Sequence, residues 1–193
     1  QARHLARNAG KAASSSKRIT SLKGLIYCGV SLPGCDKFLH QGLRQLGLEL
    51  HRQILSDGGH ISRNPSIHLQ LLSDLIAVTE TLAAAHLEQP AWLKDSVRLM
   101  APMLRSLRLG DGGLGLFNGG AMEDADVIDQ ILSKSGVRAR PQSSAPHSGF
   151  HRLSAGRSAV IMDTGNMPGR DANRWGHAGA LSFEMSAGKE RLI

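Results

Sequence analysis

Residues 57–68 read DGGHISRNPSIH and sit between two Leu-rich stretches of helical period. Gly58 and Gly59 admit backbone angles closed to other residues, so a helix ending near Leu55 stops there and the chain reverses. A new helix begins at Asn64-Pro65. Asn accepts hydrogen bonds from the first free amides, and Pro at the first helical position forfeits no needed donor. The helix end so formed carries partial positive charge and suits anions, and Arg63 and Asn64 are expected to point outward from it. With His60 and His68, this turn concentrates more chemistry than any other part of the chain. A surface turn with a solvated basic rim uses the same residue types, so the flanking sequence has to decide between them.

Upstream, residues 1–16 are Ala-, Ser- and Arg-rich, a weak helical or linker pattern. Ile19, Leu22, Leu25, Ile26 and Val30 recur at three and four residues and mark one helix; Ser31–Gly34 ends it. Leu39, Leu43, Leu46, Leu50 and Ile54 mark a second, running into the Asp57 turn. Downstream, Leu71 to Leu82 give a third, and after Pro90 the stretch Trp92–Leu107 gives a fourth, with Pro102 marking a kink or a late start. Successive helices with short connections and no strand pattern between them imply antiparallel hairpins in an all-helical layer. Gly110–Gly120, GDGGLGLFNGG, is a loop, mobile or closely packed. It serves either as a plain connection or as a cleft loop offering the Asn118 amide, and it matches neither a P-loop nor a dinucleotide fingerprint. A short helix spans Glu123–Leu132, with acidic residues in its first turn.

After residue 135 the grammar changes. Arg138–His147 is polar with Pro141 and Pro146, and period two then takes over at Phe150 and Leu153, Ala159–Met162 and Leu181–Met185. The organisation expected is a helical part over 1–135, a linker over 136–146 and the start of an antiparallel β domain over 147–193. Gln1 already lies in helical sequence and Ile193 follows directly on an alternating pattern, so we read the chain as a piece of a longer protein whose further strands close the β core.

The 193 residues are 41% hydrophobic and 20% charged, an ordinary core-forming composition. The net charge of +7 favours anionic partners: nucleic acid, anionic membrane or acidic polysaccharide. The basic residues are scattered, and no zinc-finger spacing or aromatic-interleaved basic stripe is present, which disfavours nucleic acid. Cys28 and Cys35 fit neither a metal knuckle nor a redox dithiol and are expected to be buried thiols. No apolar run of about 20 residues suggests a membrane span, and no secretory leader is visible.

Four stretches together resemble the heparinase II/III-like polysaccharide lyases: DGGHISRNPSIH at Asp57–His68, GDGGLGLFNG at Gly110–Gly119, HSGFHRL at His147–Leu153 and GHAGALSFEMSAG at Gly176–Gly188. The resemblance covers the chain from about Lys23 onward. It implies an α+β multidomain protein, an incomplete (α/α) toroid of helical hairpins followed by an antiparallel β-sandwich that is truncated here. It also implies an acidic polysaccharide partner, such as a glycosaminoglycan or alginate, bound between the two parts and cleaved by β-elimination at uronic acids, in the periplasm or cell envelope. Elimination needs a group to neutralise the uronate, a base near the C5 proton and an acid near the leaving oxygen. On this chain the resemblance assigns catalysis to His60, Arg63 and His177, and substrate binding to Asn64, His68, Asn118 and Trp175. No cofactor is required, though His177 is also a candidate ligand for a structural divalent metal, zinc or calcium.

The chain departs from the family pattern at three places. Ile67 stands before His68 where the family usually has Tyr, Ser15-Ser16-Lys17 stand near the helix start where Asn-Asn-His is usual, and Trp175-Gly-His177-Ala-Gly179 replaces His-x-His-Ala-Asp. Three readings follow: a carbon–oxygen lyase with a rearranged site, a protein of the same fold that binds an anionic glycan or cell-envelope polymer without cleaving it, or a basic helical module for nucleic acid. His40, His51 and His86 fit surface or satisfied core positions, Met100 and Met103 fit core filling, and Glu184 fits a solvent-facing position or a pair with a nearby Arg.

Overall fold

A computed structural model of the chain describes residues 2–8, 16–166, 179 and 181–193. Helices come first: α1 (Ala2–Asn8), α2 (Ser16–Ser31), α3 (Asp36–Gln53), α4 (Pro65–Ala84), α5 (Ala91–Ser106) and, after a 3-10 turn at Phe117–Gly119, α6 (Ala125–Lys134). A five-stranded antiparallel sheet follows in sequence order: β1 (Ser144–Ala145), β2 (Phe150–Ala155), β3 (Ser158–Asp163), β4 (Phe183–Ala187) and β5 (Glu190–Arg191).

α4 is the centre of the helical layer, with α2, α5 and α6 packed around it. Leu71, Leu72, Leu75, Ile76, Val78 and Leu82 are all buried, so its apolar residues face neighbours on more than one side. The sequence offered no evident membrane span, yet α4 is long and apolar enough to cross a membrane. Here it serves as a core helix: it also buries His68 and Asp74, the latter paired with Lys23 of α2. Pro102 neither delays nor breaks α5, which runs from Ala91 to Ser106 through it. The hydrogen bond lost at Pro102 is offset by burial of Met100, Ala101, Met103 and Leu104 around it.

In β3 the inward positions are Ala159, Ile161 and Asp163, alternating with partly exposed neighbours, and its register pairs Phe150 with Asp163 and Met162 with Phe183. Ala145, Phe150 and Ile161 join the same apolar core as the helices, and the Phe117 and Phe150 rings meet at 5.3 Å. Pairing starts at Ser144–Ala145, inside the stretch read from sequence as linker. A strand of two residues carries no periodic signal.

The glycine-rich loop is of the closely packed kind. It folds back on itself through Leu109 N–H to Gly113 O (2.9 Å) and Gly115 N–H to Leu107 O (2.9 Å), then docks on the sheet. Gly110 donates to Ser186 Oγ at 2.8 Å, and Arg191 bridges Asp111 and Glu184, both at 3.1 Å. Glu184 therefore pairs with an arginine, and burial raises its pKa. Cys28 and Cys35 are free thiols, each only partly buried.

Candidate functional site

The Asp57–His68 turn lies where the helical layer meets the sheet, and Asp57, Arg63 and Asn64 are spent on that junction. Asn64 caps α4 as its residue type dictates: its Oδ1 accepts from Ser66 N–H (2.9 Å) and Ile67 N–H (3.0 Å). Its amide nitrogen donates to the Asn118 carbonyl at 3.0 Å. Asn118 in turn donates to the Arg63 carbonyl (3.1 Å) and to Asp163 Oδ2 (3.0 Å).

Arg63 and Asn64 do not point outward to solvent. They are 7% and 5% exposed, because the sheet covers this end of α4. The Arg63 guanidinium donates to Ser148 O at 2.7 Å, to Asn166 O, and to Asp163 Oδ1 in a buried ion pair, with the Phe150 ring against it. The anion that this region attracts is thus the chain's own Asp163. Burial lowers the Arg63 pKa, and its backbone adopts a left-handed φ of +55°, rare for a residue with a side chain. A second tie runs from Asp57, whose Oδ2 accepts Ser148 N–H (2.6 Å) and Oγ–H (3.0 Å), while Oδ1 holds Gly59 N–H at 3.0 Å.

His60 is 4% exposed and both ring nitrogens are engaged. Nδ1 accepts from Ser62 N–H (3.0 Å), which leaves the proton on Nε2, where it is donated to Gln53 Oε1 (3.0 Å). Gln53 donates onward to Glu49 Oε1 at 2.6 Å, and Glu49 meets Arg18 at 3.4 Å. The cavity that His60 lines with Ile67 and Leu71 is about 10 Å3, room for one water and too small for a sugar ring. His68 is 1% exposed; its Nε2–H donates to Met100 O at 3.0 Å and its Nδ1 is buried without a partner. Burial, reinforced at His60 by the neighbouring His68, holds His60 down at about 3 and His68 at about 4, against an ordinary 6.5. Both imidazoles are therefore neutral at pH 7.

Of the residues read as candidates from sequence, Arg63, Asn64 and Asn118 join in one hydrogen-bonded junction with the sheet, while the His60 and His68 rings turn into the helical layer, toward Gln53 of α3 and Met100 of α5. Trp175 and His177 lie outside the described residues. Among the described residues no three His, Cys, Asp or Glu side chains come together to hold a metal ion. Sequence reasoning passed over Asp163, Ser148, Gln53 and Glu49. Two signals pointed to three of them: Asp163 stands at an inward position of an alternating strand, and Glu49 and Gln53 lie four apart within the apolar face of α3; nothing local marked Ser148.

The family model for the heparinase II/III N-terminus matches residues 1–145, and that for the heparinase II/III-like C-terminal part matches residues 137–193. The chain belongs to the heparinase II/III family. Its helical layer and antiparallel sheet have the corresponding fold in solved structures of that family. A crystal structure of heparinase III aligns with a TM-score of 0.77 at 15% identity, over 93% of this chain and 34% of that one. A mutant of the heparan sulfate lyase HepC from Pedobacter heparinus aligns with a TM-score of 0.78 at 18% identity, over 98% of this chain and 34% of that one. FtsZ-localized protein C of Caulobacter vibrioides is 30% identical over 170 residues, 88% of this chain and 30% of that protein. The heparinase-family chain described here thus spans about a third of the length of these proteins.

Proposed function

We propose that the parent protein binds an acidic, uronic-acid-containing polysaccharide of the periplasm or cell envelope, and that Asp57–His68 builds the junction beneath the binding surface without performing chemistry. In the whole protein the helical layer over 1–135 extends into an incomplete (α/α) toroid. The sheet over 147–193 extends into a β-sandwich, with 136–146 joining the two. The observation that carries the reading is the commitment of His60 and Arg63: both imidazole nitrogens and all three guanidinium nitrogens already have partners within the chain. A general base has to reach a substrate proton, and a carboxylate clamp has to reach a uronate. Neither side chain is placed to do so. The net charge of +7 and family membership support the acidic-polysaccharide partner.

A second reading, β-elimination by the whole protein, is favoured by the family match and by the position of Asn166, whose carbonyl meets Arg63 and which precedes Trp175 and His177 in sequence. In that reading His177 is the proton-transfer residue, Trp175 a stacking platform, and Asn64 and Asn118 support the substrate from below. The test is retention of the full-length protein on immobilised acidic and neutral polysaccharides at matched ionic strength. Selective retention on an acidic polymer, with no unsaturated product in the eluate, is expected. Equal retention on both would overturn the proposal.

A further inference from the structure

The far end of the helical layer carries a groove that the junction does not use. It lies between the second half of α4, the first half of α5 and the C-terminus of α6, with a volume of about 290 Å3. Thr79 and Glu80, on its wall, lie 15 and 16 residues beyond Asn64, roughly 20 Å along α4 at the helical rise, so groove and junction are separate places.

Its lining has two parts. The floor is apolar, formed by Ile76 and Val97, both nearly buried. The rim is cationic. Lys134 is neutralised by Glu80 at 3.1 Å, but Lys94 and Arg98 have neither an ion pair nor a hydrogen bond among the described residues. They stand four apart on α5, neighbours on one face with Cβ atoms about 5–6 Å apart, close enough for both to meet one oxyanion. Gln89, just ahead of α5, is anchored through its amide nitrogen on Thr79 O at 3.3 Å, which leaves its Oε1 as an acceptor. Two cations without a partner among the described residues, a fixed acceptor and an apolar floor suit a ring that is apolar on one face, hydroxylated at its edge and charged at one substituent.

We propose that this groove is a second binding site, for a pyranose carrying a carboxylate or sulfate. Lys94 and Arg98 hold the anion, Gln89 accepts from a ring hydroxyl, and the C–H face of the sugar lies on Ile76 and Val97. The volume exceeds what a bare ion fills, and the floor gives an ion nothing. The choice of sugar over other ring-bearing anions rests on the acidic-polysaccharide reading above; the anion preference rests on the groove alone.

The test is calorimetric titration of the full-length protein at low ionic strength with a sulfated uronic-acid disaccharide, with lactose and inorganic sulfate as comparators. The disaccharide is expected to bind, lactose to give no heat, and sulfate to bind at least tenfold more weakly. Lys94→Gln/Arg98→Gln, confined to exposed side chains and checked by circular dichroism, should weaken the disaccharide tenfold or more. Arg98→Lys, which keeps the charge but loses the planar fork, should fall between the two. Unchanged affinity in the double variant, or no disaccharide binding to the wild type, would overturn the site. Sulfate binding as tightly as disaccharide would overturn its assignment to a sugar. Failure of the polysaccharide proposal is read separately, from column retention of the wild type, and leaves this titration able to decide the groove.

Discussion

Arg63 combines a left-handed backbone, a buried guanidinium and a partner 100 residues away, Asp163. Removing one member of such a pair leaves the other buried without a counter-charge, which costs about 3–5 kcal/mol. Arg63→Ala should therefore lower stability by that order in urea unfolding, and Arg63→Lys should recover little, because one ammonium cannot reach Ser148, Asn166 and Asp163 together. His60 and His68 set a pH dependence. Their folded pKa values, about 3 and about 4, lie below the ordinary 6.5, so between those limits the unfolded chain binds more protons than the folded one. Their contribution is complete above pH 6.5 and is lost as pH falls through about 4 for His68 and about 3 for His60. The urea midpoint should drop over that window, and His60→Gln should flatten the slope even if it lowers stability at pH 7. The cap made by Asn64 was legible in sequence because it is local: Asn, Pro and the first free amides lie within three residues. The burial of Arg63 was not, because nothing near position 63 reveals that a strand ending in Asp163 will cover it.

α2, α3 and α4 were readable from period alone, since each buries a stripe of Leu and Ile against neighbours that follow closely in sequence. The sheet was readable in outline from the period-two stretches at Ala159–Met162 and Leu181–Met185, but its two-residue edge at Ser144–Ala145 was not. The docking of the glycine-rich loop on β4 and β5 also escaped, because it depends on residues about 75 positions apart. At this scale Asn64→Ala should destabilise by about 1 kcal/mol from the lost cap, with more from the broken link to Asn118. Gly110→Ala should cost more than an exposed loop substitution would, since a Cβ there would sit 1.9 Å from the Gly188 carbonyl oxygen. Thermal unfolding of the two variants checks both; an unchanged midpoint in Gly110→Ala would mean that the loop is not held against the sheet.

Taken whole, the molecule is a helical layer and a sheet sharing one apolar core and tied by Asp57, Arg63, Asn118 and Arg152. In Arg63→Ala, hydrogen exchange should rise in peptides covering β2 to β4 while α4 and α5 keep their protection; equal loosening of both layers would mean the tie is no weaker point than the core. The same arrangement bears on function, because groups that tie the layers together are not available to a substrate. The most direct measurement is a time course of ultraviolet absorbance from 4,5-unsaturated uronate, for the full-length protein on a panel of acidic polysaccharides, with His60→Gln alongside. We expect polymers that the protein retains to give no rise with either form. A rise with the wild type that disappears in a folded His60→Gln would contradict the account and place catalysis on the Asp57–His68 turn.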